Sequence, residues 1–363
     1  MRIVFLSYNY SPDIRSPQEW LERLKFYIGW SECLAKKHTV IRVDQINYVG
    51  NFTHNGIEYY CVDDGKKLNH FPRKLNRFVR QLNPDIVVVS SFLFPLQVIQ
   101  LRRCLGEKVK ILLQHHAERP FTGIRKFIQR HASRKVNAFL FTSYETGADW
   151  VRKTNLDTAK KIFELVEVSS TFYPIDKKIA RGKTGISGAP VFLWVGRLNQ
   201  NKDPVTAVKA FLKFSASRPE ARLFMIYHTD ELASDIQKLL AQEPGINPVK
   251  LVGKTKHDEL IYWFNSADFF LSASHYEGSG TALCEAMSCG CVPIVSDIPS
   301  FRMINGNCGL LYEAGHEEAL VSALNQSLLL NFEEKRNCAL QHFKTELSFE
   351  AIAAKFQRFV VSL

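Results

Sequence analysis

Short apolar runs alternate along this chain with longer stretches in which apolar residues recur every three to four positions. That alternation marks βαβ units, whose strands are buried on both faces and pair in parallel under amphipathic crossover helices. In the first half it predicts strands at Ile3–Ser7, Thr39–Val43, Ile86–Ser90, Lys110–Gln114 and Ala138–Thr142, with helices over Pro17–Lys36 and Pro72–Leu82. Arg181–Pro190, RGKTGISGAP, interrupts the pattern with three glycines and a proline and reads as a linker. The alternation then restarts, with strands at Val191–Val195, Arg222–Tyr227, Lys250–Val252, Phe269–Ser272 and Val292–Val295. The helices between them are predicted at Pro204–Arg218, Asp230–Ala241, His257–Ser266 and Thr281–Ser288. The pattern therefore predicts two doubly wound, Rossmann-like α/β domains, residues 1–180 and 188–348, facing a central cleft where open α/β folds place ligands.

At 363 residues the chain suits two domains, and 46% hydrophobic with 23% charged residues is the composition of a globular protein rather than a disordered chain. The opening MRIVFLSYNY reads as a buried strand rather than a signal peptide. The longest uncharged apolar run, Ile86–Leu101, is broken by Ser90, Ser91 and Pro95 and falls short of the roughly 20 residues of a spanning helix. Eight cysteines, at 33, 61, 104, 284, 289, 291, 308 and 338, form neither a C-x-x-C pair nor a zinc-spaced cluster, and free thiols in a reducing cytoplasm are expected. Charge sharpens the division into halves. Residues 1–180 hold 29 Lys and Arg against 17 Asp and Glu, and the remainder holds 18 against 19. A basic half calls for an anionic partner: nucleic acid, an acidic membrane surface or an anionic acceptor.

The stretch Tyr276–Ile298, YEGSGTALCEAMSCGCVPIVSDI, carries the most specific chemistry. Glu277 and Glu285 flank Gly278, Ser279 and Gly280 at a strand–turn–helix junction, with a helix beginning near Thr281. Backbone amides of Ser279 to Leu283 (Thr281 and Ala282 among them) are expected to lack helical acceptors and to form an anion site suited to a diphosphate. The two carboxylates can accept hydrogen bonds from vicinal hydroxyls. In the second stretch, Phe192–Phe211, a buried strand runs into Gly196 and Arg197, and Lys202 precedes the next helix. Arginine binds a diphosphate in bidentate fashion and lysine as a point charge.

These residues resemble glycosyltransferase family 4, the retaining group with the GT-B fold. G-R-L-x-x-x-K at Gly196–Lys202 and the eight-residue spacing of Glu277 and Glu285 match its donor-site signatures, as does CVPIVSDIPSFRMI at 291–304. The likeness is strong over 191–320 and rests on layout in the first half. It implies that Arg197 and Lys202 meet the donor diphosphate, Glu277 the donor sugar and Glu285 the ribose. Val252, Gly253 and Lys254 would lie near the base, and the last helix, 349–363, would pack back on the first domain. In KILLQHHAERP, it implies a strand-end histidine beside the reacting sugar, His115 aligning better than His116. Ser143 and Glu145 resemble an acceptor-side position, together with Thr142. The family's Gly-Gly turn after the first strand is replaced by Tyr10–Pro17, where Arg15 or Ser16 stands in with a side chain; its usual Asn-Gly-Val-Asp is replaced by Val168–Phe172.

The expected function is transfer of a sugar from a UDP- or GDP-sugar to a saccharide or lipid-linked acceptor, with retention, in polysaccharide or glycolipid synthesis. No D-x-D motif follows a strand, Asp63 and Asp64 being adjacent, so neither metal nor cofactor is expected and Arg197, Lys202 and helix-start amides neutralise the leaving group. A cytoplasmic protein is expected, its basic half resting on the inner membrane face, and no nucleic-acid motif with interleaved aromatics is seen. A sugar-nucleotide epimerase, a phosphorylase or a silent carbohydrate-binding relative are the alternatives.

Overall fold

In the computed structural model, residues 1–63, 70–242 and 247–363 are described. Asp64 of the acidic pair lies outside them. The chain divides into two units, one of Met1–Ser169 with Ser348–Leu363 and one of Ser170–Leu347.

The first unit is an eight-stranded sheet: β1 (Arg2–Ser11), β2 (Thr39–Ile46), β3 (Gly50–His54), β4 (Ile57–Val62), β5 (Ile86–Ser90), β6 (Lys110–Gln114), β7 (Ala138–Phe141) and β8 (Ile162–Glu164). Its order is β3-β4-β2-β1-β5-β6-β7-β8, and every pairing is parallel except β3 with β4. The crossovers are α1 (Pro17–Ala35), α2 (Arg73–Gln81), α3 (Pro95–Leu105), α4 (Gly123–Ser133) and α5 (Tyr144–Arg152). Helix α1 begins where Ser16 accepts a hydrogen bond from the Glu19 amide while the Glu19 carboxylate accepts from the Arg15 amide, a reciprocal cap. The C-terminal helix, Phe349–Val361, belongs to this unit and packs on α1, with Phe356 fully buried and its ring 5.2 Å from Trp30.

The second unit has six parallel strands: β9 (Val191–Gly196), β10 (Arg222–Tyr227), β11 (Val249–Gly253), β12 (Phe269–Ser272), β13 (Val292–Ser296) and β14 (Leu310–Tyr312). They are ordered β11-β10-β9-β12-β13-β14. Its helices are α6 (Lys177–Thr184), α7 (Pro204–Ser215), α8 (Ala233–Ala241), α9 (Leu260–Ser266), α10 (Thr281–Ser288), α11 (Pro299–Asn305), α12 (Glu317–Ser327) and α13 (Phe332–His342). A core built on Phe192, Trp194, Phe211 and Phe214 joins sheet to helices. In both sheets the order reverses beside the first strand, between β1 and β5 and between β9 and β12, and at such a reversal adjacent crossovers leave to opposite faces and open a crevice at the strand ends.

Three expectations change. The linker read at Arg181–Pro190 begins inside α6, which the Asp176 carboxylate caps by accepting from the Lys178 and Ile179 amides. Residues 170–180, expected to end the first domain, fall in the second unit, where α6 packs on α9. Cys308 and Cys338 form a disulfide, so only the other six cysteines keep free thiols. The pairing links the turn after α11 to α13, a contact 30 residues apart that no local motif announces. Because disulfides persist in oxidising surroundings, the cysteines no longer argue for a reducing compartment. Among the described residues no helix is long and apolar enough to cross a membrane.

Candidate functional site

In the first unit the β1/β5 reversal opens into a cavity of about 410 Å³ whose wall is completed by α1. The pattern of β2 explains half of its polarity. TVIRVDQI places Arg42 and Asp44 two residues apart, hence on one face, while their apolar neighbours turn to the other. Both are buried, 3.4 Å apart (Nε to Oδ2), and Trp20 Nε1 of α1 donates to the same carboxylate oxygen at 2.9 Å. The other half comes from the end of β6. Gln114 is 3% exposed, lines the cavity, and neither its amide nitrogen nor its amide oxygen has a protein partner. A buried amide left so is costly unless something else hydrogen-bonds to it.

Two adjacent histidines follow and turn opposite ways. His115 is enclosed against Phe141 and Trp150, with its Nε2 3.1 Å from the Glu118 carbonyl oxygen. Burial lowers its pKa against the pull of Glu118. His116 lines the cavity and forms an ion pair with Glu167. Burial alone would lower its pKa, but the Glu167 carboxylate prevails and raises it. Glu118 pins the two loops by accepting from the Phe92 and His116 amides, at 3.2 and 2.6 Å. Despite burial its pKa is lowered, by the charges of His115 and His116 and by hydrogen bonds from the Ser91 side chain and the His116 amide. A pH effect of definite sign follows. The folded state holds the His116 proton more tightly than the unfolded chain, so the pair stabilises fully below about pH 6.5 and is lost as pH rises through the raised pKa. Glu118 and His115 are both shifted downward, away from that window, and Tyr27, pushed up to about 12 by burial, is silent. The melting-temperature gap between wild type and His116→Asn is expected to narrow from pH 6 to pH 9; a gap that widens would refute the charge pair.

In the second unit the β9/β12 reversal is held by two stitched loops. The His275 amide donates to the Asn201 carbonyl at 2.8 Å, and Asn201 Nδ2 donates to the Tyr276 carbonyl at 2.9 Å. His275 Nε2 lies 3.1 Å from Asp203 Oδ2, and Asp203 caps α7 by accepting from the Thr206 amide. This brings Lys202 to Glu277, with which it forms an ion pair, both side chains mostly buried. Gly280 opens α10 at φ +60°, and an added Cβ would stand 2.9 Å from Ile304 Cδ1 and 3.3 Å from Phe301, so glycine is required on both counts. The Leu283 amide already donates to the Gly280 carbonyl, which narrows the expected anion site from Ser279–Leu283 to the amides before it, Thr281 and Ala282 having no acceptor within the helix. Glu285, one turn on, is no surface charge. It is 4% exposed and lies 2.6 Å from His257 Nε2, whose ring stacks on Phe172 at 4.9 Å.

The structure therefore gathers Gly278, Ser279, Gly280, Thr281, Glu277, Glu285, Gly196, Arg197 and Lys202 around the ends of β9 and β12, with Arg197 exposed. Gly253 and Lys254 end β11, two strands away from β9, where Gly253 takes φ +83° and Lys254 is exposed. Ser16 and Ser143 are spent as helix caps, Ser143 accepting from the Glu145 amide, while the Arg15 and Glu145 side chains are exposed. Sequence reasoning missed His257, Gln114, Glu167 and the Arg42–Asp44 pair. Only the last had a signal, two charges at strand spacing inside an apolar run. Among the described residues no group of three or more His, Cys, Asp or Glu is placed to hold a metal ion.

Residues 176–342 match the family model described as "Glycosyl transferases group 1". The chain is 31% identical over 137 residues to GDP-mannose:cellobiosyl-diphosphopolyprenol alpha-mannosyltransferase of Xanthomonas oryzae pv. oryzae, covering 37% of this chain and 36% of that protein. It is 24% identical over 238 residues to the lipopolysaccharide core biosynthesis mannosyltransferase LpsB of Rhizobium meliloti, covering 63% and 64%. These matches thus span between about a third and two thirds of the relatives' own length. A solved structure, Anabaena HepE in complex with UDP and glucose, superposes with a TM-score of 0.66 at 13% identity over the whole of both chains. That likeness shows the fold: the two Rossmann-like units are of the GT-B class, and the residues that match the group 1 model fall in the second of them.

Proposed function

We propose that the protein is a retaining glycosyltransferase of family 4 that takes a nucleoside diphosphate sugar on its second unit and a saccharide or lipid-linked acceptor on its first. The observation that carries this is the β9/β12 strand-end site, where cations, helix-start amides and a buried carboxylate come together within the residues that match the glycosyltransferase model. Arg197, the amides of Thr281 and Ala282, and Lys202 released from Glu277 would neutralise the departing diphosphate, freeing Glu277 for the sugar hydroxyls. Glu285, held by His257, would take the ribose hydroxyls. A donor phosphate oxygen would assist deprotonation of the acceptor hydroxyl on the face the leaving group vacates. The acceptor would enter the β1/β5 cavity, where Gln114 offers an amide and Trp20 and Tyr27 offer aromatic walls to a sugar ring. GDP-mannose and a polyprenyl diphosphate-linked saccharide are the pair to try first, because the Xanthomonas relative's name specifies both.

The direct test is a thermal-shift comparison of UDP, GDP, ADP and CMP. A ligand that binds only the folded state raises the melting temperature by mass action, equivalent to about 2.7 kcal/mol at a hundred times its Kd. One diphosphate is expected to stabilise the wild type and not Lys202→Ala. A folded wild type indifferent to all four would discard the donor assignment. NMR of the product anomer decides retention.

A further inference from the structure

Helices α2, α3 and α4 lie side by side on the first unit, α2 against α3 and α3 against α4. Together they carry nine lysines and arginines (four in α2, two in α3, three in α4) and not one carboxylate. Only Arg102 among these is buried, where it donates to the backbone carbonyls of Lys135, Gly106 and Val109. Helical spacing lays four of the rest along one groove of about 680 Å³. Arg73, Arg77 and Arg80 line it from α2 at i, i+4 and i+7, Leu96 and Arg103 from α3 at i and i+7, and His131 from α4. His131 also fixes which side of α4 faces this region, because Ile124 and Phe127 stand seven and four residues before it on the same stripe. Both are left in solvent, at 79% and 70% exposure, and Phe71 at the head of α2 is 67% exposed.

Neither half of this pattern suits a bare soluble surface. Arginines with no acid among them repel one another, and large apolar side chains raised above a basic face lose the gain of burial. Together they match one environment, an anionic bilayer, in which the apolar tips enter the acyl boundary and the guanidinium groups meet phosphate headgroups. We propose that the α2–α3–α4 face docks on membranes containing anionic phospholipid, with Ile124, Phe127 and Phe71 inserted and Arg73, Arg77, Arg80 and Arg103 at headgroup level. A nucleic acid would share the attraction to arginine but gives aliphatic Ile124 and Leu96 no role. The proposal stands apart from the donor chemistry, since docking needs no turnover.

The test is co-sedimentation of the full chain with vesicles of phosphatidylcholine alone and of phosphatidylcholine with 30 mol% phosphatidylglycerol, at low and high salt. Wild type is expected on the anionic vesicles only. Each basic residue contributes about fivefold to partitioning near such a surface, so Arg73→Glu/Arg77→Glu/Arg80→Glu should lower it by tenfold or more. Ile124→Ser/Phe127→Ser should leave weak binding that high salt abolishes. All five positions are exposed, and an unchanged thermal melt certifies each variant as folded. Wild type that stays in the supernatant, binds neutral vesicles equally, or keeps its binding in both variants overturns the proposal. Preference for a single-stranded or duplex oligonucleotide over anionic vesicles at equal phosphate concentration overturns it in favour of nucleic acid.

Discussion

Replacing Glu285 by alanine is expected to weaken binding of the cognate nucleoside diphosphate by about a hundredfold, the upper part of the range for a hydrogen bond to a charged group. Two features concentrate the effect on this residue. Its carboxylate is nearly buried, so water competes poorly with the bonds it makes to a ligand, and His257 Nε2 at 2.6 Å fixes its direction. A buried acceptor aimed by a neighbour loses little entropy when a diol arrives. His257→Ala keeps the carboxylate but frees its orientation, and a smaller loss, about tenfold, is expected. Isothermal titration calorimetry on both variants decides it. An affinity in Glu285→Ala within threefold of wild type would remove this residue from the site.

The largest expected loss of stability comes from a position with no chemistry. At Gly309 an added Cβ would sit 2.1 Å from the Pro293 carbonyl oxygen and 2.8 Å from Asn305 Oδ1. Pro293 precedes the residue of β13 that pairs with Leu310, so relief requires the edge strand β14 to lift from the sheet. Backbone cannot rotate aside as a side chain can, and Gly309→Ala is expected to cost about 3 kcal/mol or more, a fall of roughly 6–12 °C in melting temperature. Gly182 is the control. It lies in α6 with open space around it, so alanine there should stabilise by about 0.5–1 kcal/mol. Differential scanning calorimetry that finds both substitutions neutral would contradict the close approach at Gly309.

How much was legible in the sequence follows from how local each signal is. Ile86–Ser90 and Lys110–Gln114 were bounded to the residue because central parallel strands are apolar on both faces and need no partner to be recognised. The antiparallel edge was missed, although Asn55-Gly56, at φ +46° and +79°, is the turn chemistry of a two-residue hairpin. The first strand, GNFTH, is short and largely polar, and the second, IEYYCV, buries only alternate residues. Helix α6 was read as linker because its glycines outweighed the capping Asp176. For the site, Lys202, Glu277, Glu285 and Gly280 were found because the donor loops are continuous in sequence. His257 was not, since 28 residues separate it from Glu285 and a histidine ahead of a helix has no distinguishing period. The two histidines at 115 and 116 show the limit most clearly. In an extended chain successive side chains face opposite ways, so one of the pair had to line the cavity, but only the packing of Phe141 and Trp150 against His115 chooses which.

The helix Phe349–Val361 adds a matter of timing. It completes the first unit by covering α1, yet the whole of residues 170–347 must leave the ribosome before it exists. At about 5–20 residues per second that interval is roughly 10–35 s. Throughout it Trp30 of α1 lacks its Phe356 neighbour. The second unit, continuous in sequence, thus has the means to finish first, and the nascent first half waits with an apolar helix face uncovered, the interval in which a chaperone would find it.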